Sequence, residues 1–276
     1  MRQTLGAVKA DSDVGPSAIR HSPALRLVRE FGVGALAGAA VGLLAGLGAR
    51  IVMRISGLAA GPEAIGQLTE SGFVVGDVTL GGTLGIVILG GIGGALGGSV
   101  YVALRPWLAP LGPWSGVGLG LLMLAISSEP DPAGPDFRRF GPPLLSIAMF
   151  AALSPLAGVV LVPLVAALER YDAAVDPSRP VSDRRAAVSE LIRGAGIGVL
   201  LLMGSVGVIA LLAVGALAFV PVALVALALG TRFYLAYAGD RTSLAAPLRI
   251  VTAVLIVAVM VLWLARTASG IAEILR

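Results

Sequence analysis

The stretch GALAGAAVGLLAGLGARIVMR, residues 34–54, decides how the rest of the chain is read. Gly34, Gly38, Gly42 and Gly46 recur every fourth residue, and Arg50 and Arg54 continue the same row. On a helix, residues four apart lie one above the other. The stretch therefore describes a helix with a glycine groove along one face and two stacked guanidinium groups at the end of it.

The surroundings say what medium that helix sits in. Of 276 residues, 57% are hydrophobic and only 13% charged, and the mean hydropathy is +0.94. A soluble domain carries about 25% charged residues. With so little charge, most of the surface has to face lipid or other helices. In lipid every backbone polar group must be paired internally, so only helices and closed barrels span. The apolar runs here are long and do not alternate, which selects helices. The expected fold class is an all-α, polytopic transmembrane helix bundle of about seven spans.

Working outward from the glycine row, residues 1–30 read as a polar cytoplasmic tail whose last part, from Pro23, is expected to begin the first helix. The charged region is too long for a signal peptide, and the apolar segment runs on into Arg50 with no cleavage site. The first span is about 31–49, its helix continuing to Ser56. An outer loop at 57–80 carries Glu63, Glu70 and Asp77 and no Arg or Lys. The second span, about 81–104, has Gly90, Gly94 and Gly98 in one four-spaced row, with Gly81, Gly85, Gly93 and Gly97 on another face. Small residues let helix backbones approach closely in lipid. The first two spans are expected to form a tight hairpin.

The third apolar run, about 113–128, covers roughly 24 Å at ~1.5 Å per residue, short of the ~30 Å hydrocarbon core. Whether it crosses fully or returns stays open at this point. An outer loop at 129–141 holds Asp136, and a fourth span at about 142–168 contains Pro155 and Pro163, where kinks are expected. Residues 31–168 thus read as a four-span unit. A cytoplasmic linker at 169–193 separates it from a three-span unit at 194–276, with spans at about 194–214, 217–237 and 246–266. With the amino terminus inside, the 20 Lys and Arg all fall on the inner side except Arg50, Arg54, Arg138, Arg139, Arg266 and Arg276. That bias fits the positive-inside rule and favours counting the third run as a span. The expected location is the cell membrane.

The same distribution sets aside nucleic acid as the explanation of a pI near 10.1: the basic residues sit at span ends rather than in a patch. No cysteine is present, so there is no thiolate nucleophile and no Cys metal site. The single histidine, His21, lies in the tail. Ser205 therefore has no base to activate it, and no Asp or Glu falls in a span centre to serve a proton relay. After Lys9 there is no lysine for a phosphate loop or a Schiff base. No enzyme activity, cofactor or metal is expected.

Two features remain. Arg50 and Arg54 repel one another at i,i+4 unless they share an anionic partner. Glu63, Glu70, Asp77 and Asp136 lie on the same expected face and are the internal candidates for ion pairs; a phosphate headgroup or acidic solute is the external one. Interfacial snorkelling is the plain alternative. The second feature is a short repeat. Leu27-Val28-Arg29 with Gly32 and Gly34 parallels Leu191-Ile192-Arg193 with Gly196 and Gly198.

Arg50-x-x-x-Arg54, Thr79-Leu80-Gly81-Gly82-Thr83-Leu84-Gly85, Tyr101-x-x-x-Arg105 and Pro135-Asp136-Phe137 before a proline-led span resemble a group of uncharacterised bacterial multi-pass membrane proteins. The resemblance covers about residues 31–170 and implies no activity. It suggests that the first two spans and the outer loops act as one unit. The leading expectation is a non-catalytic structural or accessory membrane component, with membrane lipid and other membrane subunits as its partners. The alternative is a transporter or lipid- and anion-handling protein that uses Arg50 and Arg54.

Overall fold

The computed structural model describes residues 23–68, 74–75, 79–127, 142–173, 183–213, 216–238 and 245–274. Among them the chain is helical, with one isolated bridge between Leu68 and Val74. Seven α-helices follow one another: α1 Pro23–Ala59, α2 Leu80–Leu108, α3 Ser115–Ser127, α4 Pro143–Ala173, α5 Asp183–Ala213, α6 Ala216–Ala238 and α7 Ala245–Ile274. Among the described residues four stretches are long and apolar enough to cross a membrane: Ala24–Ala59, Leu80–Ala125, Pro143–Asp172 and Ala246–Glu273.

The helices overrun the apolar limits read from sequence. The helix begins at Pro23, where the last part of the tail was expected to start it, and residues 23–30 form its first two turns. The linker expected at 169–193 is helical at both ends, since α4 continues to Ala173 and α5 begins at Asp183. The physical reason is simple. Apolar length measures how deep a helix sits in lipid, whereas Arg, Glu and Ala are good helix formers that carry it on past that depth.

α1 and α2 pack antiparallel through their glycines. Gly34 faces Gly98, Gly38 faces Gly94 and Gly42 faces Gly90. A Cβ on Gly34 would lie 2.7 Å from the Gly98 carbonyl oxygen, and Gly38 and Gly94 each abut the other's carbonyl more closely still. At Gly46 the neighbours are the Ile86 carbonyl oxygen and the Val87 Cα, both 2.9 Å from a built Cβ. Such approach permits Cα–H···O=C contacts along the seam. α2 starts where it does because the Thr79 hydroxyl accepts a hydrogen bond from Gly82 N–H at 3.1 Å, capping the first turn.

α2 and α3 are separated by a 3-10 segment, Ala109–Trp114, broken at Gly112 with φ +54°. Pro110, Gly112 and Pro113 in this break explain why the third apolar run is short: α3 has 13 residues, about 20 Å of helix. It packs on α4 through a second glycine approach, Gly116 against Gly158 and Gly120 against Ser154 and Pro155. One apolar core joins all seven helices, running from Phe31, Val102 and Leu104 through Leu122 and Val165 to Ile192, Ala228 and Trp263.

Candidate functional site

The two ends of α1 carry different chemistry. At its C-terminal end, Arg50 is half-buried and Arg54 exposed, one turn apart. Both engage other groups. Glu63 is exposed on the single 3-10 turn Pro62–Ala64, where its carbonyl accepts a hydrogen bond from Gln67 Nε2 at 2.8 Å. Glu70, Asp77 and Asp136 lie outside the described residues. This end is pinned by a contact the sequence does not advertise: Ser146 Oγ of α4 donates to Ser56 Oγ of α1 at 2.9 Å, both residues buried. Paired hydroxyls satisfy each other where water is excluded.

The N-terminal end of α1 holds a larger cluster. Glu30 receives two guanidinium groups on separate oxygens: Arg26 on Oε1 at 3.1 Å and Arg232 of α6 on Oε2 at 2.6 Å. Arg105 of α2 pairs with Glu169 of α4, and Arg29 of α1 pairs with Asp172 of α4 at 2.6 Å. Trp107 Nε1 donates to the Arg249 carbonyl oxygen at 3.0 Å, which brings in the start of α7. Five helices are thereby tied at one end.

The Tyr101-x-x-x-Arg105 spacing acquires a meaning here. Four residues apart on α2, the two side chains share a face, and Tyr101, 5% exposed, is close enough to Arg105 and Glu169 to feel both charges. Arg232 has a second role. Its Nη1 donates to the Val102 carbonyl oxygen. In an uninterrupted helix that carbonyl would accept from the N–H of residue 106. Residue 106 is a proline inside α2, which has no N–H to give. Arg232 satisfies the acceptor that Pro106 leaves open.

Arg232 and Glu30 are 16% and 21% exposed, so neither charge is well hydrated; Arg232 depends on Glu30 for its charge partner, and Glu30 on Arg232 together with the more exposed Arg26. The sequence placed Glu30 in the tail and Arg232 toward the inner end of the 217–237 span, and did not connect them. One signal was available: Arg232 interrupts the apolar run 217–237, and an arginine within such a run implies a partner.

The packing glycines Gly34, Gly38, Gly42, Gly46, Gly90, Gly94 and Gly98 all line the α1–α2 seam. Gly81, Gly85 and Gly93, on the other face of α2, have no heavy atom within 4 Å of a built Cβ. Comparison with known proteins finds no matching family model, no matching curated protein and no matching solved structure.

Proposed function

We propose that the chain is a non-catalytic component of the cell membrane that works by helix association, as a structural or accessory subunit. The observation that carries this reading is the two-faced glycine pattern of α2. One face seats α1 at backbone distance; the other, with Gly81, Gly85 and Gly93, is open. Leu84, Ile88, Leu89 and Ile92 lie exposed around it. A face of small residues with apolar side chains beside and, at Leu89, within it suits a second transmembrane helix. The test uses Gly93→Cys carrying a thiol-linked photocrosslinker, in native membranes. The chain has no other cysteine, so any adduct reports this face. A discrete protein adduct is expected, and adducts with lipid alone refute the reading.

In this proposal the chain crosses the membrane seven times with its amino terminus in the cytoplasm. The gathering of Arg26, Arg29, Arg105 and Arg232 at one end of the bundle supports a cytoplasmic placement of that end.

A second reading, handling of an anionic lipid or solute, is favoured by the exposure of Arg54 one turn beyond half-buried Arg50. Stabilisation of the purified protein by phosphate or anionic lipid, lost on Arg54→Gln, would support it. The same stability with and without those anions would remove it.

A further inference from the structure

The repeat at residues 27–34 and 191–198 meets itself. A Cβ on Gly32 would overlap the carbonyl of Ile192 and lie 3.1 Å from Gly196 N; a Cβ on Gly196 would overlap the carbonyl of Val28 and lie 3.1 Å from Gly32 N. One and the same shift along the chain carries Val28 onto Ile192 and Gly32 onto Gly196. Applied to the first set of contacts, that shift returns the second. Such reciprocity is what an isologous interface requires, with residue i touching j and the counterpart of j touching the counterpart of i; the Gly42–Gly90 approach shows it too, but here the two sides also share the Leu-x-Arg-x-x-Gly-x-Gly sequence.

We infer that the two Leu-x-Arg-x-x-Gly-x-Gly segments are paired copies of one self-associating element, and that their crossing is the joint between an N-terminal unit, α1–α4, and a C-terminal unit, α5–α7. The neighbouring glycines of the two copies have separate fates: Gly34 is occupied by Gly98 of α2, while Gly198 has no heavy atom within 4 Å of a built Cβ. Only the glycine at the crossing is shared by both. Val28 and Ile192 meet the opposing glycines through their backbone carbonyls, and Ile192, 1% exposed, belongs to the apolar core. Around the joint, polar contacts between the two units include Arg232 with Glu30 and Val102, and Trp107 with the Arg249 carbonyl. All sit at the same end of the bundle. The element works as a docking surface whose partner is its own second copy in the same chain.

The test is made on the full chain. A protease site is inserted at Ser178, between the units, and the purified protein is cut in mild detergent. The two halves should remain together in the parent. With Gly32→Leu or Gly196→Leu they should separate to a similar extent, and with Gly198→Leu they should stay together. If either leucine variant fails to accumulate, the alanine variant at the same glycine is cut instead, since even one added carbon meets a carbonyl there. Halves that co-elute in both crossing variants overturn the inference. So does a Gly198→Leu protein that separates as readily as Gly196→Leu.

Discussion

Glu30 and Arg232 stand 202 residues apart in the chain and 2.6 Å apart in the fold. Glu30 belongs to the first helix and Arg232 to the sixth, so their bond closes the bundle at one end. Removing either charge leaves the other poorly hydrated. Glu30→Gln is expected to lower stability by about 2–3 kcal/mol, somewhat under the range for fully buried pairs. Arg232→Gln should cost more, because it also strands the Val102 carbonyl. Thermal unfolding in detergent measures both, and equal losses would mean that the carbonyl contact contributes nothing.

Substitution along α2 should separate its two glycine faces. Gly94 abuts the backbone of Gly38 and Gly42, and a leucine there cannot be absorbed by side-chain movement. Gly94→Leu, or Gly42→Leu from the opposing helix, should destabilise by on the order of 1–3 kcal/mol through overpacking. Gly85→Leu should stay within about 0.5 kcal/mol of the parent. Similar melting temperatures for Gly94→Leu and the parent would place the seam elsewhere.

For the arginine pair, two outcomes distinguish an internal from an external partner. If the partner is internal, Arg50→Gln lowers stability, and neutralising the right carboxylate among Glu63, Glu70, Asp77 and Asp136 adds little in the double variant. If it is a bound anion, Arg50→Gln leaves the unliganded protein as stable as the parent but abolishes anion-dependent stabilisation. Variants that match the parent in both respects reduce the pair to snorkelling side chains.

Topology is open to single-cysteine labelling, because the background is free of thiols. Ser71→Cys and Ala133→Cys should react with an impermeant reagent added outside, and Ser178→Cys only after permeabilisation. Outside labelling at Ser178 would invert the chain after α3 and rule out a full crossing by that helix.

The α1–α2 seam was legible because its signal is local: a four-residue glycine spacing puts every member on one face whatever the rest of the chain does. Helix positions were legible for the same reason: the span expected from about 142 corresponds to α4, which starts at Pro143. Helix ends were less so, since Arg26, Arg29 and Glu30 look like tail charges until α4 and α6 supply Asp172 and Arg232. Ser56 and Ser146 could not be paired from sequence, because a serine carries no mark of what it will face. The repeat around Gly32 and Gly196 was visible as a similarity, but only the fold could bring its copies into contact.

Pro106 and Arg232 also bear on how such a chain can change over generations. The proline creates an open acceptor at Val102 and the arginine fills it, so each residue makes the other tolerable. A lineage that lost the arginine first would carry an unsatisfied carbonyl; one that lost the proline first would regain a helical N–H and make the arginine's contact with Val102 redundant. Exchange should therefore proceed in that second order. In relatives lacking proline at this position, Val102 no longer needs a donor from position 232, and the pairing with Glu30 is the constraint that remains there; frequent retention of the proline without a donor at 232 would show that the two are inherited independently.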